Sequence, residues 1–283
     1  MTDSAGPPLP YEQLVFSGGG IRCFWHGGWI ETVTAGRALK PARVIGVSGG
    51  ALSGAAWLAG RERTLLDVMS EAFSRETSNV TWHDLEGENG LTPHQRVYRS
   101  VVEEVLDQAA QARIAEGPAF QVFLGRPPEG ALSDLAALLG GSAYELEKRL
   151  FARGTSDWSV KFGLTGERID ARAAAKEGRL VDLVAAAATI PPVFSIPDWE
   201  GAPVIDGGMV DQTPFPDPDE GRTLVLSTRS YSDLPHASER DFVEPSEPVL
   251  DQKIDFTDPA KLEEAWRLGQ EDGATWLAAH RGG

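Results

Sequence analysis

Twice in the N-terminal part of the chain, a short apolar run passes straight into glycines and then into a stretch of helical character. Glu12-Gln-Leu-Val-Phe16 leads into Ser17-Gly18-Gly19-Gly20 and a helix-compatible stretch from about Ile21 to Leu39. Arg43-Val-Ile-Gly-Val47 leads into Ser48-Gly49-Gly50 and the Ala-rich stretch Ala51 to Ala59. A repeated strand, glycine turn and helix constrains the fold strongly, because strands joined through helices run parallel and a parallel sheet is covered on both faces. Ser159 to Thr165 alternates like a strand, Leu180 to Thr189 reads as a small-residue helix, and Ala202 to Ile205 and Thr223 to Ser227 read as strands. Lys261 to Ala279 reads as an amphipathic C-terminal helix, with Asp258 as N-cap and Pro259 at its first position. The expected fold is one α/β domain over residues 1–283, with a mostly parallel central sheet and residues 1–10 as a flexible leader. Residues 61–153 read as a mainly helical middle insertion or cap without chemistry of its own, its charges between Arg96 and Arg113 spaced as on a solvated face.

Composition narrows the function. With 41% hydrophobic and 24% charged residues, the chain is an ordinary globular protein. The single cysteine, Cys23, allows neither an intramolecular disulfide nor a cysteine-cluster metal site, and fits a reducing cytoplasm. No metal or other cofactor is called for. Residues 1–10 lack the basic and apolar regions of a cleavable signal, so a cytoplasmic location is expected, with signal-independent export left open. The longest apolar run, Leu183 to Phe194, is broken by Pro191-Pro192 and is shorter than the roughly 20 residues a membrane span needs. A net charge of −16 argues against a nucleic-acid partner and against electrostatic docking on an anionic membrane. Transient contact with a membrane surface would therefore be apolar, and most of the eight tryptophans are expected in the core. The oligomeric state is not legible.

Three loops carry chemistry. Gly46-Val47-Ser48-Gly49-Gly50 matches the G-x-S-x-G nucleophile elbow, a sharp strand-to-helix turn that exposes a serine hydroxyl and whose outer glycines avoid a clash of Cβ atoms. Gly18-Gly19-Gly20-Ile21-Arg22 lies where unblocked amides can face an anion. No Gly-Lys-Ser/Thr follows, which excludes a P-loop, and an oxyanion hole is the better reading; a purely structural turn is the alternative. Asp206-Gly207-Gly208 puts a carboxylate at a strand end, and on its own turn chemistry would explain it equally well.

In this order the three segments resemble the patatin-like phospholipase family, and Ala185-Ala-Ala-Ala-Thr-Ile-Pro-Pro-Val-Phe194 looks like the segment preceding the D-G-G loop in bacterial members; the resemblance spans about Leu14 to Pro214. It implies a three-layer α/β/α sandwich and a Ser-Asp dyad without histidine: Ser48 as nucleophile, Asp206 as base, Gly18, Gly19 and Gly20 holding the oxyanion. Arg22, Gly46, Gly49, Gly50, Gly207 and Gly208 would support the site. The chain departs from the family in carrying Cys23 where glycine usually follows the loop arginine, and Gln212 in the stretch where asparagine is usual.

The expected activity is that of a lipid acyl hydrolase of phospholipase A or lysophospholipase type, working through an acyl-enzyme. A soluble carboxylesterase or thioesterase with the same dyad is the second reading, and a catalytically silent interaction module the third. A triad would need a histidine, and His26, His83, His94, His236 and His280 lack a distinctive context, although His236 has a suitable chain order. Arg22 would brace the glycine loop, face a substrate phosphate or form a helix-start ion pair. Cys23 as nucleophile would need His26 as its partner.

Overall fold

A computed structural model describes residues 7–75, 93–128, 130, 162–191, 194–230, 239–250 and 258–280. In chain order its elements are β1 (Gln13–Phe16), α1 (Phe24–Gly36) after a 3₁₀ turn at Gly20–Cys23, β2 (Arg43–Val47), α2 (Gly49–Ala59), α3 (Glu62–Arg75), α4 (Pro93–Val105), α5 (Gln108–Glu116) and β3 (Ala119–Arg126). There follow β4 (Thr165–Asp170), α6 (Ala171–Lys176), α7 (Leu180–Ala186), a hairpin of β5 (Asp198–Trp199) and β6 (Ala202–Pro203), then β7 (Ile205–Asp206), β8 (Thr223–Leu226), β9 (Arg240–Val243) and α8 (Pro259–Ala279).

Among the described residues, seven strands join one sheet in the order β4-β3-β2-β1-β8-β9, with β7 also on β3. The pairs from β3 through β2, β1 and β8 to β9 are parallel, as the repeated strand–turn–helix units require. Alternation sends Leu14, Phe16, Val44, Phe120, Val122 and Leu124 into the large core shared with the helices. Val15, Ile45, Val47, Phe123 and Val225 form a smaller cluster on the opposite face, against Val210, Phe215 and Phe242. The fold is thus mixed α/β with a mostly parallel sheet.

Two expectations need correction. Residues 119–126 do not belong to a helical insertion: they form β3, an inner strand of the sheet, because Phe120, Val122, Phe123 and Leu124 supply apolar groups to both faces at once. The strand expected over Ser159 to Thr165 overlaps β4 (Thr165–Asp170) only at Thr165; Gly163 is in a turn, and residues 159–161 lie outside the described residues.

Helix α1 lies against α8 with the backbones nearly touching. A Cβ on Gly28 would stand 1.9 Å from the Trp266 carbonyl oxygen, and one on Gly269 would stand 2.2 Å from that of Trp25. Indole N–H groups close the seam, Trp25 donating to Asp272 at 2.8 Å and Trp266 to Glu31 at 3.1 Å. Trp25, Trp29, Trp199 and Trp266 are buried, the core role expected of most tryptophans. The cap at Asp258 is as expected, its carboxylate accepting from the Ala260 N–H at 3.0 Å. Among the described residues no helix is long and apolar enough to cross a membrane.

Candidate active site

Strand β3 brings the site together. β2 pairs in parallel along one of its edges, ending with Val47 opposite Phe123, while β4 occupies the other edge along its length. Where β2 stops, β7 continues on the same edge from the opposite direction and sets Asp206 opposite Leu124. The C-terminal ends of β2 and β7 therefore meet head to head, and Ser48 meets Asp206 across 158 positions of sequence.

Ser48 has φ 56° and ψ −135°, a left-handed φ that costs a residue with a side chain about 1–3 kcal/mol and aims the hydroxyl out of the turn. The elbow closes as its glycines require: a Cβ on Gly46 would fall 2.6 Å from the Gly50 carbonyl oxygen, and one on Gly50 would fall 2.3 Å from that of Ser17. Gly49 is the first residue of α2, so its amide is at the positive end of that helix.

The Ser48 hydroxyl donates to Asp206 Oδ2 at 2.5 Å, and Asp206 Oδ1 accepts from the Gly208 N–H at 2.7 Å. The carboxylate is fully buried, while Ser48 keeps 6% of its surface exposed. Gly207 lies flat on β3, where a Cβ would meet the Phe123 carbonyl oxygen at 2.3 Å.

The glycine loop is held from two sides. Gly18 donates its N–H to the Gln212 carbonyl at 2.9 Å, and its own carbonyl accepts from the Thr228 hydroxyl at 2.6 Å. The Thr228 N–H in turn donates to Ser17 Oγ at 3.0 Å. The expectation that three glycines hold an oxyanion is narrowed by this pattern, because the Gly18 amide is already bonded. Gly19 and Gly20 have N–H groups without an acceptor among the described residues, and Gly20 takes the left-handed φ of 58°.

Gln212 bridges this loop and the D-G-G turn. Besides its carbonyl contact with Gly18, its side-chain amide donates to the Gly208 carbonyl at 2.7 Å, and its Oε1 is buried beside Gly18. Arg22 donates from Nε to the Leu250 carbonyl at 3.1 Å, which ties the loop to residues 239–250. Cys23 is buried, its thiol directed to the Ser17 carbonyl at 3.6 Å.

Of the histidines among the described residues, His26 and His280 have their hydrogen bonds elsewhere than the Ser48–Asp206 contact. His26 is fully buried among Phe16 and Trp25; its Nε2–H donates to the Leu226 carbonyl at 3.1 Å, and burial lowers its pKa to about 3. His280 is exposed and stacked on Trp276, and His94 is buried in α4. His83 and His236 lie outside the described residues.

A cleft opens over Ser48 and Asp206, walled by apolar side chains that include Leu65, Met69 and Phe73 of α3 and Phe194. Tyr98 of α4 also lines it; its hydroxyl is buried without a partner among the described residues. Burial first, then the neighbouring Cys23 and Asp206, push its pKa above the usual phenol range. Tyr98 falls within a stretch whose charges read as a solvated face, and no local pattern marks it. Nor does any mark Thr228, one residue past an expected strand.

A family model described as patatin-like phospholipase matches residues 14–219. The crystal structure of VipD from Legionella pneumophila is similar in fold, with a TM-score of 0.51 at 13% identity, covering 96% of this chain and 67% of that one. No curated protein matches.

Proposed function

The chain belongs to the patatin-like phospholipase family, which makes it a lipid acyl hydrolase, and on that premise we propose that it cleaves fatty-acyl esters of phospholipids or lysophospholipids with a Ser48–Asp206 dyad. The observation that carries this reading is the direct 2.5 Å hydrogen bond between the two side chains at the floor of an apolar cleft. A carboxylate is a weak base toward a serine, and a short bond to a fully buried carboxylate is the arrangement in which it can serve.

Ser48 Oγ attacks the acyl carbonyl carbon as its proton passes to Asp206 Oδ2. The carbonyl π electrons move to oxygen, where the Gly19 and Gly20 amides, and that of Gly49 at the start of α2, are placed to donate. Collapse breaks the ester C–O bond, and the departing alkoxide takes the proton from Asp206. Water then attacks the acyl-Ser48 ester, giving its proton to Asp206. A second collapse frees the fatty acid and returns the proton to Ser48 Oγ. The Gly208 N–H, donating to Oδ1, keeps Oδ2 turned toward the serine throughout. No step calls for a cofactor.

The net charge of −16 favours, as a second reading, a soluble carboxylesterase or thioesterase with the same dyad. Fatty-acid release from mixed phospholipid vesicles by wild type and by Ser48→Ala separates them. Release by wild type alone is the expected result; reaction with a soluble thioester or short ester but with no vesicle would move the assignment to the second reading. Failure of Ser48 to react with a fluorophosphonate would sink both and leave an interaction module.

A further inference from the structure

The glycine loop after β1 and the D-G-G turn after β7 leave strands that are not neighbours in the sheet, yet both must be fixed relative to one substrate carbonyl. One buried side chain lies between them. Gln212 is 1% exposed, and its carboxamide occupies a slot that two glycines leave open: a Cβ on Gly18 would stand 2.5 Å from its Oε1, and a Cβ on Gly208 would stand 2.5 Å from its Nε2. Nε2 donates to the Gly208 carbonyl at 2.7 Å, while the Gln212 backbone carbonyl accepts from the Gly18 N–H at 2.9 Å. Oε1 is buried without a partner among the described residues.

We propose that Gln212 is a positioning residue for the hydrolysis: its carboxamide, seated between Gly18 and Gly208, holds the oxyanion loop and the dyad carboxylate in register with each other. This rests on the Ser48–Asp206 reading above. On the carboxylate side the connection is short. The Gly208 carbonyl accepts from Gln212 and the Gly208 N–H donates to Asp206 Oδ1 at 2.7 Å, so a shift of this one residue turns Oδ2 away from Ser48. On the loop side, Gly18 carries the bonded amide, and the Gly19 and Gly20 amides, which lack an acceptor among the described residues, follow directly. A buried amide oxygen left unpaired costs stability, and a methionine of similar length would fill the slot without one. The carboxamide is thus explained by the Gly208 bond it makes and not by filling the slot. Gly18, in turn, is needed for room: a methyl group there meets Gln212 Oε1 and pushes the side chain off Gly208.

Labelling of Ser48 by a fluorophosphonate draws on both the base and the oxyanion donors, and its rate constant, unlike its extent, does not depend on how much of the protein is folded. The test compares this rate constant for wild type, Gln212→Ala, Gln212→Met, Gly18→Ala and the double variant Gly18→Ala/Gln212→Ala. Each single change is expected to slow labelling by about tenfold or more, since misplacing reacting groups by about 1 Å can cost about 100-fold. Truncating Gln212 leaves space for a methyl group at position 18, so the double variant is expected to label within about threefold of Gln212→Ala. Gln212→Met fills the slot while Gln212→Ala empties it, so they stress the fold in opposite ways, and one of them surviving is enough to decide. Labelling of either Gln212 variant within about twofold of wild type would reduce Gln212 to packing, and a double variant slowed by the product of the two single effects would return Gly18 to an independent role in the oxyanion hole. Either result overturns the proposal and leaves the dyad standing. A wild type that takes up no label overturns the hydrolase reading and this proposal with it.

Discussion

Gly50 and Gly28 do the same steric thing at two ends of the molecule. At the elbow, a Cβ on Gly50 would stand 2.3 Å from the Ser17 carbonyl oxygen; in the helical layer, one on Gly28 would stand 1.9 Å from the Trp266 carbonyl oxygen of α8. What surrounds each contact differs. Around Gly28 the space is filled by Trp25, Trp29 and Trp266; the indoles of Trp25 and Trp266 donate to acidic side chains, while Trp29 Nε1 is buried without a partner among the described residues. Around Gly50 the closure leaves Ser48 with a strained backbone, a hydroxyl on a cleft and amides without acceptors nearby. Glycine density in this chain thus marks close backbone approach, and the approach at Ser48 differs in opening on the cleft.

Four experiments bear on that difference. The largest effect is expected for Asp206→Asn, which keeps the shape but removes the base: turnover should fall about 10³–10⁴-fold while the denaturation midpoint stays near that of wild type, and activity above about a tenth would break the assignment of chemistry to this end. Gly28→Ala should do the reverse. Prying α1 from α8 is expected to cost about 3 kcal/mol or more by urea denaturation, with Ser48 in the folded fraction still labelled by a fluorophosphonate; a cost below about 1 kcal/mol would mean the seam is looser than drawn.

His26 joins the two regions, since it sits on α1 and donates to the Leu226 carbonyl at the end of β8. Its folded pKa of about 3 lies below the ordinary 6.5, so between those values the unfolded chain binds a proton that the native chain does not. Stability is therefore fully present above pH 6.5 and is lost as pH falls toward 3, with a slope of up to about 1.4 kcal/mol per pH unit from this group. His26→Gln, which retains a donor for Leu226, should flatten that part of a stability–pH series; an unchanged slope would remove His26 as the link. Smallest is Thr228→Val, which deletes the hydroxyl donated to Gly18: a loss of about 1 kcal/mol in stability is expected, together with about a tenfold fall in kcat as the glycine loop loosens. A fall in stability without one in kcat would place Thr228 with the packing glycines.

Much of this was legible locally. β1, β2 and β8 lie within a residue of where their apolar runs end, and the Asp258–Pro259 start of α8 is written in the order of its residues. β3 escaped notice because Ala119 to Arg126 sits after Gly117-Pro118 among helical segments, although Phe120 to Leu124 carries the apolar, β-prone composition of a strand buried on both faces. The seam of α1 and α8 was invisible for another reason. Gly27, Gly28 and Gly269 weaken helices taken singly, and their use shows only when the two are side by side.

The sequence by itself determined the turns: glycines flanking Ser48, following Asp206 and filling the loop after β1 restrict the backbone over a few residues, and such restrictions are local. Only the tertiary structure decided that Ser48 and Asp206 share a hydrogen bond and that the Gly18 amide is occupied by Gln212 while its neighbours are not. These follow from β3 accepting β2 and β7 end to end on one edge, and strand register is fixed by which apolar faces are buried together, a property of the whole sheet that no short segment contains.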